Sequence, residues 1–186
     1  MASQQESVVN VKKRQQFHDY LAYYEIAQDP FSDYDNVGLF FPGGDRRKIV
    51  EELLHFSRYG TAPTVLLGGV GVGKSTVLNE FVQQVNSDTE AVVVDSQLLA
   101  SQEQLIGQVL GGLGVPADAN NLSLPPLEQL NRFVSAQAAR GRQLIVCFDD
   151  AHNLTREFIH DIVGFQQQFV DACKLVFCGE FEVREI

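Results

Sequence analysis

Residues 68–75 read Gly-Gly-Val-Gly-Val-Gly-Lys-Ser and fill every fixed position of the pattern G-x-x-x-x-G-K-[ST]. So much glycine is a statement about the backbone. It lets several successive N–H groups point at one spot, where an anion can sit. The flanks agree with that reading. Thr64–Leu67 is a short apolar run behind Pro63, which predicts a buried strand. Val77, Leu78, Phe81, Val82 and Val85 recur at helical spacing, which predicts a helix starting near Lys74. A strand, a glycine loop and a helix N-terminus in that order form a phosphate cradle. A glycine-rich turn with a chance lysine would leave the flanking strand and helix unexplained. Gly68, Gly69, Val70, Gly71, Val72, Gly73, Lys74, Ser75 and Thr76 are therefore the expected nucleotide-binding residues. The expected ligand is ATP with Mg²⁺. Lys74 would reach the β- and γ-phosphates, and Ser75 would ligate the metal.

Around this loop the chain reads as one α/β domain with a parallel sheet flanked by helices, and 186 residues suffice for a real core. Further buried strands are expected at 91–95, 143–148 and 174–178. Residues 1–16 read as a flexible N-terminus. Residues 17–60 hold an aromatic segment and a first helix, and 61–186 the P-loop core. The helix is expected to be capped by Asp45 and to carry Ile49, Leu53 and Phe56 on one stripe. The aromatic segment reads as a clamp on the core, the other reading being a wall beside a nucleotide base. Ser101 should cap a helix running to about Leu110, and 111–126 should form a long loop. Leu127, Leu130, Val134 and Ala138 mark the next helix. Thr155 should cap one bearing Phe158, Ile159, Ile162, Val163 and Phe169.

Charge and cysteine usage exclude several classes. Acidic residues number 24 against 14 basic, a formal net charge of −10 that repels a phosphate backbone. The two dense basic runs, Lys12-Lys13-Arg14 and Arg46-Arg47-Lys48, read as a solvated terminus and a solvated helix start. Nucleic acid is thus not the favoured partner. No apolar run approaches the ~20 residues of a membrane span, and no signal core follows Met1. The expected location is the cytoplasm, or the cytoplasmic part of an inner-membrane protein. Of three cysteines, Cys147 and Cys178 lie in apolar strand-like runs. They read as small core residues, not as a disulfide frame or zinc site.

The run at 143–148 ends in Asp149-Asp150. An apolar strand tipped with acid, downstream of an intact P-loop, is the expected second half of the site. Asp149 would hold the Mg²⁺ shell opposite Ser75, and Asp150 would orient the attacking water. His152 follows, read as a hydrogen-bonded loop histidine, with a report on phosphate as the other reading. The strand at 174–178 ends in Gly179-Glu180, and strand tips in open parallel sheets face the ligand crevice. Glu180 there could contact the γ-phosphate or the water, or could simply face solvent.

Taken in order, Asp29-Pro30-Phe31, the P-loop, L-I-V-C-F-D-D-A-H-N-L and K-L-V-F-C-G-E resemble the bacterial AAA+ ATPases of the ExeA (general secretion protein A) type. The same residues resemble the ATPase region of DamX-like proteins that carry a SPOR domain. The resemblance spans about residues 20–186 and rests on the flanking motifs, since the P-loop is shared by many NTPases. It implies an ASCE-type fold with strand order 5-1-4-3-2. It also implies ATP binding coupled to envelope assembly, secretion or division, in a homo-oligomer or with an envelope partner. Lys74, Asp150 and Glu180 take the catalytic positions; Ser75 and Asp149 take the metal positions.

Two departures from the family pattern stand out. The usual acidic pair is Asp-Glu, and here it is Asp149-Asp150, one methylene shorter. Hydrolysis is accordingly expected to be slow. The family's fifth strand and its helical lid, with a sensor arginine, would follow Ile186. Arg140, Arg142, Arg156 and Arg184 are candidates for an arginine finger acting on a neighbour's site. Two further readings stand beside the ATPase: a nucleotide-dependent interaction module with incidental turnover, and a DNA-associated transposition or replication ATPase.

Overall fold

The structure is a computed structural model that describes residues 20–27, 40–96, 101–115 and 124–180. The sequence expectations for residues 1–19, for the Asp-Pro-Phe turn and for 181–186 lie outside the described residues. The chain divides into two units, Met1–Phe40 and Phe41–Ile186. In the first, Tyr23 and Tyr24 meet edge to face with ring centroids 4.8 Å apart. All that follows concerns the second.

Its order is α1 (Arg46–Tyr59), β1 (Thr64–Leu67), α2 (Lys74–Gln84), β2 (Thr89–Asp95), α3 (Gln102–Gly112), α4 (Pro126–Ala138), β3 (Gln143–Asp149), a 3₁₀ turn (Ala151–Asn153), α5 (Arg156–Gln167) and β4 (Cys173–Gly179). The four strands are parallel in the order β1-β4-β3-β2. This is the order the resemblance implies for these four strands. The α/β parallel-sheet fold read from the sequence is the observed fold.

Strands β3 and β4 sit in the middle because their residues are apolar on both faces, as parallel strands under two helical layers must be. Every residue of β4 is buried, as are Leu144, Ile145, Val146, Cys147 and Phe148 of β3. Alternation divides the core into two layers. Leu144, Val146, Phe148, Cys173, Leu175 and Phe177 face α3, α4 and α5, packing on Val109, Leu130, Val134, Phe158 and Ile162. The Phe148 ring stacks on Phe177 at 5.4 Å and meets Phe158 edge-on at 5.6 Å. Removing a buried phenyl ring of this kind costs roughly 3–5 kcal/mol. On the other face α2 inserts Val77, Leu78 and Phe81, and α1 adds Val50 and Leu53.

Several boundaries differ from expectation for local reasons. Strand β2 begins two residues early, because Thr89 and Glu90 pair with Gln143 and Leu144. Helix α3 runs on to Gly112, packed so closely on Val92 that an added Cβ would clash with its Cγ2. Ser101 and Thr155 cap α3 and α5 as expected, accepting from the backbone of Gln104 and Phe158. Asp45 stands at the N-cap of α1 but makes no side-chain cap, its own backbone being helical rather than extended. The buried stripe of that helix is Val50, Leu53 and Ser57, with Ile49 and Phe56 half-covered. Phe169 lies beyond the end of α5, tilted against Phe165 at 5.2 Å.

One buried polar contact ties the layers together. Lys174 points to the α1 side of β4, and its ammonium donates to the carbonyls of Ser57 at 2.6 Å and Phe56 at 3.3 Å. These belong to the last turn of α1, where a cation is favoured; the Phe56 carbonyl also accepts from Gly60 N at 2.8 Å. Burial lowers the Lys174 pKa, and nearby Asp171 partly opposes that.

Candidate functional site

Because all four strands run the same way, their C-terminal ends gather on one edge of the sheet. The P-loop follows β1, Asp149-Asp150 end β3, and Gly179-Glu180 end β4. A backbone bond from Gly68 N to the Gly179 carbonyl, 3.2 Å long, pins the start of the loop to the tip of β4.

The loop conformation depends on glycine at defined points. Gly71 and Gly73 have φ of 74° and 91°, values that L side chains seldom adopt. Gly73 is the N-cap of α2, and no side chain caps that helix. The first helical bond is Val77 N to Gly73 O, 3.0 Å. The N–H groups of residues 74–76 therefore have no partner within the helix and point toward its N-terminus. Lys74 curls back over the loop, and its Nζ donates to the Gly69 carbonyl at 3.0 Å.

Two cavities open on either side of the loop. A polar one of about 330 Å³ has Val70, Gly71, Gly73, Lys74, Ser75 and Thr76 on one wall and Asp150, His152 and Glu180 on the other. The structure thus brings Glu180, Asp150 and the helix start into one chamber, across more than a hundred residues of sequence. The second cavity, about 390 Å³ and mostly apolar, lies between α1 and the loop. Phe41, Ile49, Leu66, Leu67, Val72 and Val77 line it, with Asp45, Arg46 and Lys74 at its polar margin. The sequence does not outline this cavity, because residues of the P-loop share its walls with separate segments before and within α1 and in β1. Sequence reasoning also treated Arg46 as part of a solvated basic run. Instead, Arg46 Nη2 donates to the Val72 carbonyl at 3.4 Å, and the guanidinium lies against Gly73. Nothing in the spacing of residues 46–48 distinguishes Arg46 from its neighbours.

Asp149 does not line the polar chamber. It is half-buried at the tip of β3, and its Oδ1 accepts from the backbone N of Asp150 at 3.0 Å. The Cys178 thiol lies near it. Burial first, then the Asp149 carboxylate, pushes the Cys178 thiol far above its ordinary range. Burial likewise pushes Cys147 and Cys173 up to about 12. All three cysteines are free and buried, the core role read from the sequence for Cys147 and Cys178.

Asp150 has φ of 50°, left-handed and outside glycine. Asp and Asn tolerate that region best. Its carbonyl accepts from the backbone and side-chain amides of Asn153, closing the turn that carries His152. Of the arginine-finger candidates, Arg140 and Arg142 precede β3, at the end of the sheet away from the chamber, and Arg142 pairs with Glu90 at 3.4 Å. Arg156 opens α5, and Arg184 lies outside the described residues.

The donor set suits a nucleotide and its metal. A left-handed glycine loop, a free helix N-terminus and a lysine address phosphates. The Ser75 hydroxyl and the aspartate oxygens are of the kind that would suit a hard cation such as Mg²⁺, which takes few protein ligands and keeps its waters. Fold and loop together define a P-loop ATPase domain of the AAA+ class. The AAA domain family matches residues 57–186, and the chain belongs to it. No curated protein matches it in sequence. Among solved structures it is similar to Cdc6p from Pyrobaculum aerophilum, with TM-score 0.65 and 19% identity over 84% of this chain and 44% of that one. It is also similar to the ORC2 protein of Aeropyrum pernix in ADPNP-ADP complexes, with TM-score 0.59 and 14% identity over 76% and 43%. The ORC1 protein of Aeropyrum pernix in complex with DNA gives TM-score 0.52 and 18% identity over 73% and 38%. The chain spans less than half the length of each of these proteins. No helix among the described residues is long and apolar enough to cross a membrane.

Proposed function

We propose that this domain binds MgATP and hydrolyses it slowly, using the change of nucleotide to change its contacts with a partner. The observation that carries the reading is the polar chamber, where the P-loop and α2 start face Asp150 and Glu180. The N–H groups at 74–76 and the Lys74 ammonium hold the β- and γ-phosphates. The apolar cavity beside Arg46 and Phe41 holds the base. Ser75, with Asp149 behind the chamber wall, would hold Mg²⁺, which when bound supplies positive charge against the phosphates. Asp150 orients a water for attack on the γ-phosphorus and accepts its proton. The bond to the β-bridging oxygen breaks, and ADP and phosphate leave. Asp150 is one methylene shorter than the usual acid, and misplacement by about 1 Å can cost on the order of a hundredfold. Titration with a fluorescent ATP analogue, followed by single-turnover phosphate release, tests this. Tight binding without any phosphate release would leave a nucleotide-dependent interaction module. Failure to bind would remove the reading altogether.

What the cycle serves has two candidate answers. Resemblance to the ExeA type supports an envelope assembly, secretion or division role, with a homo-oligomer or envelope protein as partner. A DNA-associated role gains support from the solved fold of ORC1 in complex with DNA. The net charge of −10 weighs against DNA contact by this domain alone. A DNA-binding titration at two salt concentrations, with and without ATP, decides between them.

A further inference from the structure

The two walls of the polar chamber differ in chemistry. The loop wall donates, through Lys74 and the backbone at the start of α2. The opposite wall holds Asp150, His152 and Glu180. Two of these end in carboxylates, which accept hydrogen bonds and repel phosphate. His152 is the side chain on that wall that can donate to a phosphoryl oxygen.

The fold makes little use of this ring. Its Nδ1 is buried without a hydrogen-bond partner. Its Nε2 has only the Asn153 side-chain amide, 3.5 Å away. A buried polar atom without a partner raises the free energy of the folded state, and such orphans in native structures call for a reason. The turn itself is firmly built. Left-handed Asp150 starts it, Ala151 is fully buried, and Asn153 closes it. His152 is thus held beside the chamber by a hydrogen-bonded turn that leaves its Nδ1 without a partner.

We propose that His152 distinguishes a nucleoside triphosphate from a diphosphate, by donating a hydrogen bond from Nε2–H, which gives up its long contact with the Asn153 amide, to the terminal phosphate. The proposal rests on the nucleotide-binding reading above. The donors of the loop wall hold the β-phosphate and one side of the γ-phosphate. A third phosphate extends the anion toward the wall of Asp150 and Glu180, where two carboxylates oppose it. The imidazole offsets that opposition and supplies a contact that ADP does not reach.

The test is displacement of a fluorescent nucleotide by ADP and by a non-hydrolysable ATP analogue, both with Mg²⁺. The proteins are the full chain and its His152→Ala and His152→Gln variants. The expected result is about tenfold weaker binding of the triphosphate to His152→Ala, with ADP affinity unchanged. Glutamine keeps an N–H donor, so His152→Gln should recover much of the loss. Equal weakening of both nucleotides, or of neither, overturns the proposal. Thermal melting identifies a variant that has lost its fold, and the glutamine variant then carries the test. A parent protein that binds neither nucleotide refutes the nucleotide-binding reading itself, a result distinct from an unchanged preference in the variants.

Discussion

Lys74 Nζ stands 3.0 Å from the carbonyl of Gly69, five residues back in its own loop. The ammonium is therefore held over the cradle by a backbone acceptor that a phosphate oxygen can replace. A charge-assisted bond to phosphate is the stronger of the two. Lys74→Ala should weaken ATP binding roughly tenfold to a hundredfold. Melting should change little, since one part-buried bond within the loop is lost. Titration with a fluorescent ATP analogue checks this, and unchanged affinity in a folded variant would refute the role of Lys74.

Asp150 joins two constraints that the sequence shows only singly. Its acid lies where water would be oriented, and its backbone is left-handed at φ 50°. Asp150→Glu should lengthen the reach of the carboxylate and raise phosphate release by about tenfold or more. The left-handed position should make the same change cost about 1 kcal/mol of stability. Asp150→Asn keeps the backbone preference and removes the base, so release should fall while the melting temperature holds. A glutamate variant slower than the parent would mean the chamber is shaped around the shorter acid.

Much of this architecture was legible because it is carried by local pattern. The glycine loop, the four apolar runs and the caps Ser101 and Thr155 are short-range signals, and each forms the expected element. Strand ends were less legible, since pairing partners such as Gln143 for Thr89 decide them. The least legible features are tertiary. Arg46 against Gly73 and the apolar cavity depend on where α1 folds back, which no residue spacing announces. Lys174 is similar: nothing in the run at 174–178 announces that its lysine reaches across to α1.

Lys174→Met removes the ammonium that donates to the Ser57 and Phe56 carbonyls, leaving Phe56 with its bond from Gly60 N, while keeping most of the volume. It should destabilise the domain by about 1–3 kcal/mol at neutral pH. The pH dependence follows from the lowered Lys174 pKa. Below the folded value, the buried ammonium carries its full desolvation cost. Between the folded value and the ordinary value of 10.5, the unfolded chain binds more protons, so this group's contribution to stability rises with pH. The buried thiols have the opposite sign, losing stability as pH rises from 9.0 toward about 12. They are common to both proteins and cancel in the difference. The gap in denaturant-unfolding free energy between parent and Lys174→Met should therefore widen as pH rises from 7 toward 10. A gap that narrows would contradict the assignment.

Strand β1 has β4 on one side and, among the described residues, no strand on the other. Val65 is 48% exposed, unlike any residue of β3 or β4, which fits an edge position. The direction of its amides follows from one bond. Gly68 N donates to Gly179 on the β4 side, and N–H directions alternate along a strand. Leu66 N–H then points toward β4, while the N–H groups of Val65 and Leu67 point to the free edge. An uncovered edge of this kind is open to pairing with another strand. Amide hydrogen exchange on the monomer should show Val65 and Leu67 exchanging far faster than Leu66 and than Val146 in the sheet centre. Concentration should slow Val65 and Leu67 selectively if copies associate through this edge. Slow exchange at both residues in dilute monomer would mean that another segment of the chain covers the edge.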